Sequence, residues 1–381
     1  MGLLILTQSL ELNKIMSKKI LLVSNGFYPE NSPRSFRATE LAKELVRQGN
    51  QVTVITHPRQ GVETFCEQNG IAFKSLGNLT WAEPKAKGTG IIRLFWRVIV
   101  RMSLLLFEYP KIQLVFLVKK ALKYETGYDV LISIAVPYPI HWGVASIWSK
   151  KIAKVWIADC GDPYMGQEND TFKPAFYFKW VEKWFCKKTD YLTVPTEKSV
   201  AGYYPEFHSK IKVIPQGFRF EDVQLFTGEK DNSKIVFGYA GMFIPGRRDP
   251  SEFLEFINTV ESDKPFEFHI YTTTPQFVQP YIKNNGRVIL KELVPRDKLL
   301  FELSKMDFMV NFENVGNTQT PSKLIDYLII EKPVLSIKYG DLNKQAVHQF
   351  LKADYTQKML LPDRELYRIE NVASKFTALI P

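Results

Sequence analysis

The chain has 381 residues, with 50 Lys and Arg against 40 Asp and Glu, a length that exceeds one ordinary hydrophobic core and predicts two domains. Hydrophobic content of 45% and charged content of 24% exclude a disordered or fibrous chain, while a formal charge of +10 asks for an anionic partner: nucleic acid, acidic lipid or a phosphorylated substrate. The separated Cys66, Cys160 and Cys186 and five scattered histidines offer no disulfide framework and no HExxH-like spacing, so a reduced cytoplasmic setting without a protein-held metal is expected.

Residues 1–15 are apolar at Gly2–Leu6 but lack a basic n-region, so they read as a flexible extension or alternative start. Lys19–Ser24 is a short apolar run before Asn25-Gly26, a buried-strand pattern with a turn after it. A loop rich in Pro, Asn and Ser leads to a helix over Phe36–Gln48, closed by Gly49, and Gln51–Thr56 is the next strand. Strand, helix and strand in this order make a βαβ unit of a parallel sheet. The cycle continues through strands Asp129–Ile134, Lys154–Asp159, Tyr191–Val194 and Lys212–Ile214, with helices over Ile140–Lys151 and Ala175–Lys188.

Residues 219–233 are polar and weakly periodic and read as a linker. A second α/β series follows, with strands at Lys234–Tyr239, Glu267–Tyr271, Val288–Leu290, Phe308–Phe312 and Pro333–Ile337. The expected organisation is a domain over 16–218, the linker, a second domain over 234–363, and a helix at 364–381 able to cross back to the first. Two parallel-sheet domains imply a cleft at the carboxyl ends of their strands, where open α/β sheets bind ligands.

Several loops at strand ends carry chemistry. The loop after the first strand has no GxGxxG, which removes the main support for hydride transfer, but places Asn31, Ser32 and Arg34 at a helix start suited to a phosphate or an acceptor. Asp159 and Asp162 end a strand as a pair able to orient a hydroxyl or act as general base, although Asp162-Pro163 is also an ordinary turn. His141 follows Pro137-Tyr138-Pro139 at a helix start, which favours its neutral form; a structural role reads equally from the residues. In the second series, Gly241 through Pro250 ends a strand in small residues and presents Arg247 and Arg248, a pattern suited to a diphosphate. Thr320, Ser322, Lys323 and Asp326 open a short amphipathic helix, with amides for a phosphate and an acid for a sugar's vicinal hydroxyls. An ordinary capped helix has the same residues.

Ile91–Val118 is apolar but punctuated by Arg93, Arg97 and Arg101, spaced by four, with Trp96 among them and Lys111 and Pro110 beyond. The charges and the proline argue against a spanning helix. Two readings stand: a basic amphipathic segment on an anionic membrane, or a buried helical hairpin. Lys179, Lys183, Lys187 and Lys188 beside Trp180, Trp184 and Phe185 repeat the first pattern.

Taken together, Lys19–Ser24 with Tyr28-Pro29, the Arg37–Gly49 helix, Trp156–Pro163, Val213–Phe218, Gly241–Pro250 and Pro321–Val334 resemble the GT-B glycosyltransferases, specifically the family-four-like retaining enzymes of bacterial surface-polysaccharide synthesis. The resemblance spans nearly the whole chain from Lys18. It implies an α/β fold of two Rossmann-like parallel-sheet domains facing a central cleft, the first for acceptor and the second for donor. It further implies transfer of a hexose-type sugar from a nucleotide-diphosphate donor to a lipid-linked glycan, with retention. By it, Asp326 contacts the donor ribose, Gly241, Arg247, Arg248, Thr320, Ser322 and Lys323 bind the donor, Asn31, Ser32 and Arg34 the acceptor, and His141, Asp159 and Asp162 position acceptor and sugar. No cofactor or metal is implied, and no nucleic acid is expected as partner. The protein is expected on the cytoplasmic face of the plasma membrane, with Arg93, Trp96, Arg97 and Arg101 toward the lipid. The sequence departs from the family where Thr318 replaces the first of a glutamate pair, where Met242 replaces an arginine, and where a Gly-Gly pair is missing from the first loop. Two other readings are a nucleotide-sugar epimerase on the same fold and a degenerate, non-catalytic membrane scaffold.

Overall fold

The computed structural model describes residues 17–30, 32–82, 88–166, 173–230, 232–283, 285–313 and 323–381. The chain divides into two compact units, one running to Phe218 and taking in Glu365–Pro381, the other Arg219–Arg364.

Seven strands build the first unit: β1 Lys19–Ser24, β2 Gln51–Thr56, β3 Ala72–Ser75, β4 Tyr128–Ile134, β5 Ala153–Asp159, β6 Tyr191–Val194 and β7 Ile211–Val213. They pair in the order β3-β2-β1-β4-β5-β6-β7, every pair parallel. Between them run α1 Pro33–Arg47, α2 Val62–Gln68, α3 Gly90–Phe107, α4 Gln113–Leu122, α5 Pro139–Ile147, α6 Phe178–Lys188 and α7 Glu197–Val200. Helix α1 starts where the sequence supplies a cap: the Ser32 side chain accepts from the Ser35 amide and Pro33 occupies the first turn. It ends where Gly49 adopts φ 85°, a left-handed conformation that a side chain would disfavour.

The second unit has β8 Ile235–Ala240, β9 Phe266–Tyr271, β10 Val288–Lys291, β11 Phe308–Phe312 and β12 Val334–Ile337, in the order β10-β9-β8-β11-β12, again all parallel. Its helices are α8 Ser251–Thr259, α9 Arg296–Ser304, α10 Lys323–Ile330 and α11 Lys344–Phe350. An aromatic stack fills its core, with Phe237 stacked on Phe308 at 4.4 Å and on Phe268 at 4.9 Å. Residues 219–230, expected as a linker, belong to this unit: the Phe226 amide donates to Ser304 Oγ at 2.9 Å, and Lys230 pairs with Asp307.

The last helix, α12 Ile369–Thr377, returns to the first unit. The Phe218 amide donates to the Tyr367 carbonyl and the Ile369 amide to the Phe218 carbonyl, so outgoing and returning chain run side by side. Alternation along β1 separates two cores. Ile20 and Leu22 join Val54, Ile132, Leu41 of α1 and Phe376 of α12 on one face. Leu21 and Val23 join Leu131, Trp156, Leu114 of α4 and Val144 of α5 on the other.

Several elements differ from the sequence expectation. Strand β3 and helix α2 were not anticipated, because Ala72-Phe73-Lys74-Ser75 is an edge strand without an apolar run. Helix α5 stops at Ile147, since Trp148 is already extended at ψ 129°. The Ile91–Val118 segment is two helices, broken where Glu108 takes φ 50° ahead of Pro110. The two halves differ in burial. Helix α4 buries Leu114, Val118 and Leu122, whereas the 18-residue α3 buries nothing and leaves Ile91 86% and Phe95 63% exposed. Among the described residues no helix is long and apolar enough to cross a membrane.

The docking of α12 yields a test. Phe376 is buried under the Arg37 guanidinium, 5.1 Å from its ring centre. Phe376→Ala is expected to destabilise the first unit by about 3 kcal/mol or more, from lost burial plus cavity, read by denaturant unfolding of the purified protein.

Candidate functional site

A parallel sheet whose strand order reverses direction leaves a crevice outside the carboxyl ends of the two strands at the reversal. In the first unit the reversal lies between β1 and β4, and in the second between β8 and β11. The loops that follow these strands are therefore the places where each unit can hold a ligand.

In the first unit the two acidic residues at the end of β5 part company. Asp159 is fully buried. Its Oδ2 accepts from Arg37 Nε at 3.1 Å, and its Oδ1 accepts from Arg37 Nη2 at 2.8 Å and from Thr193 Oγ1 at 2.6 Å. Arg34 Nη1 lies 3.4 Å from Oδ2. Burial by itself would raise the Asp159 carboxyl; the charges of Arg37 and Arg34, with the hydrogen bonds, reverse that and hold it below the usual carboxylate range. The expectation that Asp159 presents a carboxylate to an acceptor is thus corrected: its oxygens are spent inside the fold. Asp162 is exposed, and its backbone carbonyl accepts from Tyr138 Oη at 2.8 Å, which fixes the loop that presents it. Gly161 lets the loop and Arg34 approach: a Cβ there would stand 2.2 Å from Arg34 Nη2.

His141 is fully buried as well. Its Nδ1 lies 2.8 Å from Ser133 Oγ, which in turn accepts from Trp156 Nε1 at 2.8 Å, and its Nε2 lies 3.6 Å from Cys160 Sγ. Burial pushes its pKa down to about 3, so the ring is neutral and supports the Cys160–Asp162 turn from below. The expected direct contact of His141 with substrate is corrected to a supporting one, because its ring does not reach solvent. Ser32 caps α1, its Oγ donating to Glu30 Oε1 at 3.1 Å; Asn31 lies outside the described residues. Arg34 points to Asp159 rather than into the β1 loop.

In the second unit the β8 loop folds on itself. The Ile244 amide donates to the Arg248 carbonyl at 3.1 Å, and Phe243 anchors the loop against Tyr239 and Phe312. The Gly241 amide donates to the Tyr271 carbonyl at 2.8 Å. This arrangement leaves Arg247 exposed and Arg248 half-buried beside Tyr239, with Arg248 Nε shielded and without a hydrogen-bond partner. Burial raises the Tyr239 phenol's pKa, and the Arg248 charge and its side-chain hydrogen bond oppose that rise. Helix α10 opens at Lys323 and carries Asp326, whose Oδ1 accepts from Arg296 Nη2 at 2.6 Å. Thr320, Ser322 and the Lys323 side chain lie outside the described residues.

Arg37, Tyr138 and Arg296 escaped sequence reasoning. Their partners lie 122, 24 and 30 residues away, so no local motif announces them. Arg93, Trp96, Arg97 and Arg101 lie together on α3, with Arg93 and Arg97 exposed. That helix is tied at its C-terminal end to the segment before α6: the Ala175 amide donates to the Leu105 carbonyl at 3.1 Å, and Tyr177 Oη donates to the Leu106 carbonyl. Exposed Phe176 and Trp180, rings 5.9 Å apart, extend the same apolar patch.

Two parallel-sheet units with helices on their faces define the GT-B fold. The chain resembles a glycosyltransferase from Rickettsia africae with a TM-score of 0.56 at 12% identity, over 95% of this chain and 94% of that one. It resembles Anabaena HepE, solved in complex with UDP and glucose, with a TM-score of 0.50 at 11% identity, over 95% of both chains. A UDP-GlcNAc 2-epimerase from Methanocaldococcus jannaschii gives a TM-score of 0.50 at 12% identity, over 94% of this chain and 98% of that one. At such identities these likenesses establish the fold alone. A family model described as Glycosyltransferase Family 4 matches residues 36–221, just under half of the chain, and supports sugar transfer. No curated protein matches the chain.

Glu182 of α6, buried behind the Asp162 loop, makes the unit sensitive to pH. Its Oε1 reaches the Met165 amide at only 3.5 Å and its Oε2 has no partner; burial pushes its pKa up to about 7 against the opposing Met165 and Tyr164 amides. Between about pH 4.5 and 7 the folded chain holds a proton that the unfolded chain has lost, so stability falls as pH rises through that window. Glu182→Gln is expected to flatten this part of the stability–pH profile, measured by denaturant midpoints across it.

Proposed function

We propose that the chain is a glycosyltransferase that moves a hexose-type sugar from a nucleoside-diphosphate donor to a hydroxyl of a lipid-linked glycan, with retention at the anomeric carbon, in surface-polysaccharide synthesis. The match of residues 36–221 to Glycosyltransferase Family 4 carries the reading. The geometry adds the exposed Arg247 and the half-buried Arg248 on the β8 switch-point loop, and an exposed, backbone-clamped Asp162 at the end of β5. In this reading Arg247, Arg248, Lys323 and the first amides of α10 neutralise the donor diphosphate, and Asp326, oriented by Arg296, takes the ribose hydroxyls. The acceptor oxygen forms its bond to the anomeric carbon as the bond to the diphosphate breaks, and the departing diphosphate takes the acceptor proton. Asp162 orients the acceptor; Asp159 and His141 hold the Asp162 loop and are positioning residues.

Labelled nucleotide sugars incubated with the protein and membranes separate the readings. Label in lipid is expected; conversion of free donor would instead mark an epimerase, and neither would mark a scaffold. Arg248→Met is expected to weaken binding of a nucleoside diphosphate at least tenfold by calorimetry, the loss of one charge-assisted contact of about 1.5–3 kcal/mol. Unchanged affinity would remove Arg248 from the donor site.

The acceptor's lipid places the reaction at a membrane, and α3 supports that placement. An 18-residue helix with apolar side chains in water and arginines among them fits the headgroup boundary of an anionic bilayer on the cytoplasmic side. Co-flotation with phosphatidylglycerol vesicles is expected at low salt and less at high salt. Ile91→Ser combined with Phe95→Ser is expected to abolish it.

A further inference from the structure

The Asp162 turn and helix α3 share a contact that none of the roles above uses. Helix α3 ends at Glu108, which takes φ 50°, a left-handed conformation disfavoured for a residue with a Cβ. Its amide donates to the Leu104 carbonyl at 2.8 Å, so this conformation closes the last helical turn. The side chain then leaves the helix: Glu108 Oε1 accepts from Tyr164 Oη at 2.7 Å. Burial raises the pKa of the Glu108 carboxyl, and the Tyr164 hydrogen bond and the Lys111 charge oppose the rise. Tyr164 is the second residue after Asp162 and is packed on three sides. Its ring meets Trp142 of α5 edge-on at 5.4 Å, Phe178 of α6 edge-on at 5.6 Å, and Tyr138 at 5.1 Å. The same Tyr138 grips the Asp162 carbonyl. Between Asp162 and Tyr164, Pro163 is wedged against Gly202, where a Cβ would stand 2.3 Å from Pro163 Cγ.

We propose that Glu108 and Tyr164 are positioning residues that couple the order of α3 to the order of the Asp162 turn, so that lipid seated on α3 tightens the turn. The proposal rests on the reading of α3 as a lipid-facing helix. A helix takes most of its stability from packing an apolar face. Helix α3 buries no residue, so in water its order rests on its own hydrogen bonds and on the ties at its C-terminal end. The Ala175 amide holds the Leu105 carbonyl, Tyr177 Oη holds the Leu106 carbonyl, and Tyr164 Oη holds Glu108. Of these three, Tyr164 belongs to the Asp162 turn. Fraying of the last turn of α3 releases the Glu108 cap and takes the acceptor away from Tyr164 Oη, at the cost of a largely buried hydroxyl. One residue further on, the Met165 amide has a longer contact, 3.5 Å to Glu182 Oε1, so the bond to Glu108 is the shorter hold on this end of the turn. A bilayer that buries Ile91, Phe95, Val98 and Met102, all exposed, opposes the fraying and keeps Tyr164 in place. The effect is reciprocal, since a fixed turn favours an ordered α3. The acceptor-orienting turn is thereby set where a lipid-linked acceptor is found.

The test is hydrogen exchange of the full chain, read on peptides covering residues 160–166 with and without phosphatidylglycerol vesicles at low salt, alongside flotation. The parent is expected to float, and its turn to exchange roughly fivefold or more slowly when vesicles are present. Tyr164→Phe, which keeps the packed ring, and Glu108→Ala are expected to float like the parent and to lose this vesicle-dependent slowing. Glu108→Gln, which keeps an oxygen acceptor for Tyr164, is expected to retain it. Parent-like exchange in the core strand β4 shows that the variants fold. A pair that only braces the structure would loosen the turn equally in both conditions and leave the ratio of rates intact. If the parent floats but its turn exchanges at one rate with and without vesicles, or if Tyr164→Phe keeps the parent's ratio, the coupling falls and the lipid-facing reading stands. If the parent does not float, the lipid-facing reading falls and takes the coupling with it.

Discussion

The first unit is organised around one buried ion pair. Arg37, on the first helix, meets Asp159 at the end of β5 with two hydrogen bonds, and donates its remaining N–H groups to the carbonyls of Ile214 and Pro215 while lying over Phe376. Four segments distant in sequence meet at one guanidinium. Taking both charges from water is costly, and only the near-complete set of partners makes the burial tolerable; losing either member would leave an uncompensated charge worth roughly 3–5 kcal/mol. The pair therefore fixes where the chain leaves the first sheet after β7 and where α12 returns to it, and it sets the base of the turn that presents Asp162.

Above that pair sits a second tier of buried polar groups. Trp156, Ser133, His141 and Cys160 form a chain of contacts beneath the turn, and Tyr138 grips its carbonyl from the side while meeting Tyr203 at 2.7 Å. Such satisfied networks specify a single loop conformation better than apolar packing does. The rigidity contrasts with α3, which the fold holds by its C-terminal end and otherwise leaves in solvent. A helix that is apolar yet has no buried residue is not accounted for by the chain's own packing among the described residues.

Much of the fold is legible in hydrophobic runs. The strands at Gln51–Thr56, Tyr191–Val194 and Phe308–Phe312 fall where their apolar residues put them, because a strand buried on both faces needs a continuous apolar run. Edge strand β3 is invisible for the same reason, since one exposed side removes the requirement. The candidate site is legible as a set of loops: Asp159, Asp162, Gly241, Arg247 and Arg248 do follow strand ends. Which of them faces solvent is not. Asp159 and Asp162 are equivalent as letters and opposite in the fold, one fully buried and one exposed.

By itself, then, the sequence determined a doubly wound α/β chain in two parts, with its polar chemistry at strand carboxyl ends, since periodicity and turn residues act locally. Tertiary structure alone decided that Asp159 and His141 are internal supports, that Asp326 leans on Arg296, and that Glu30 and Arg59 pair across the loops after β1 and β2. Those outcomes depend on strand order and on partners tens to more than a hundred residues away, and a burial or a pairing energy exists only once both partners have been brought together.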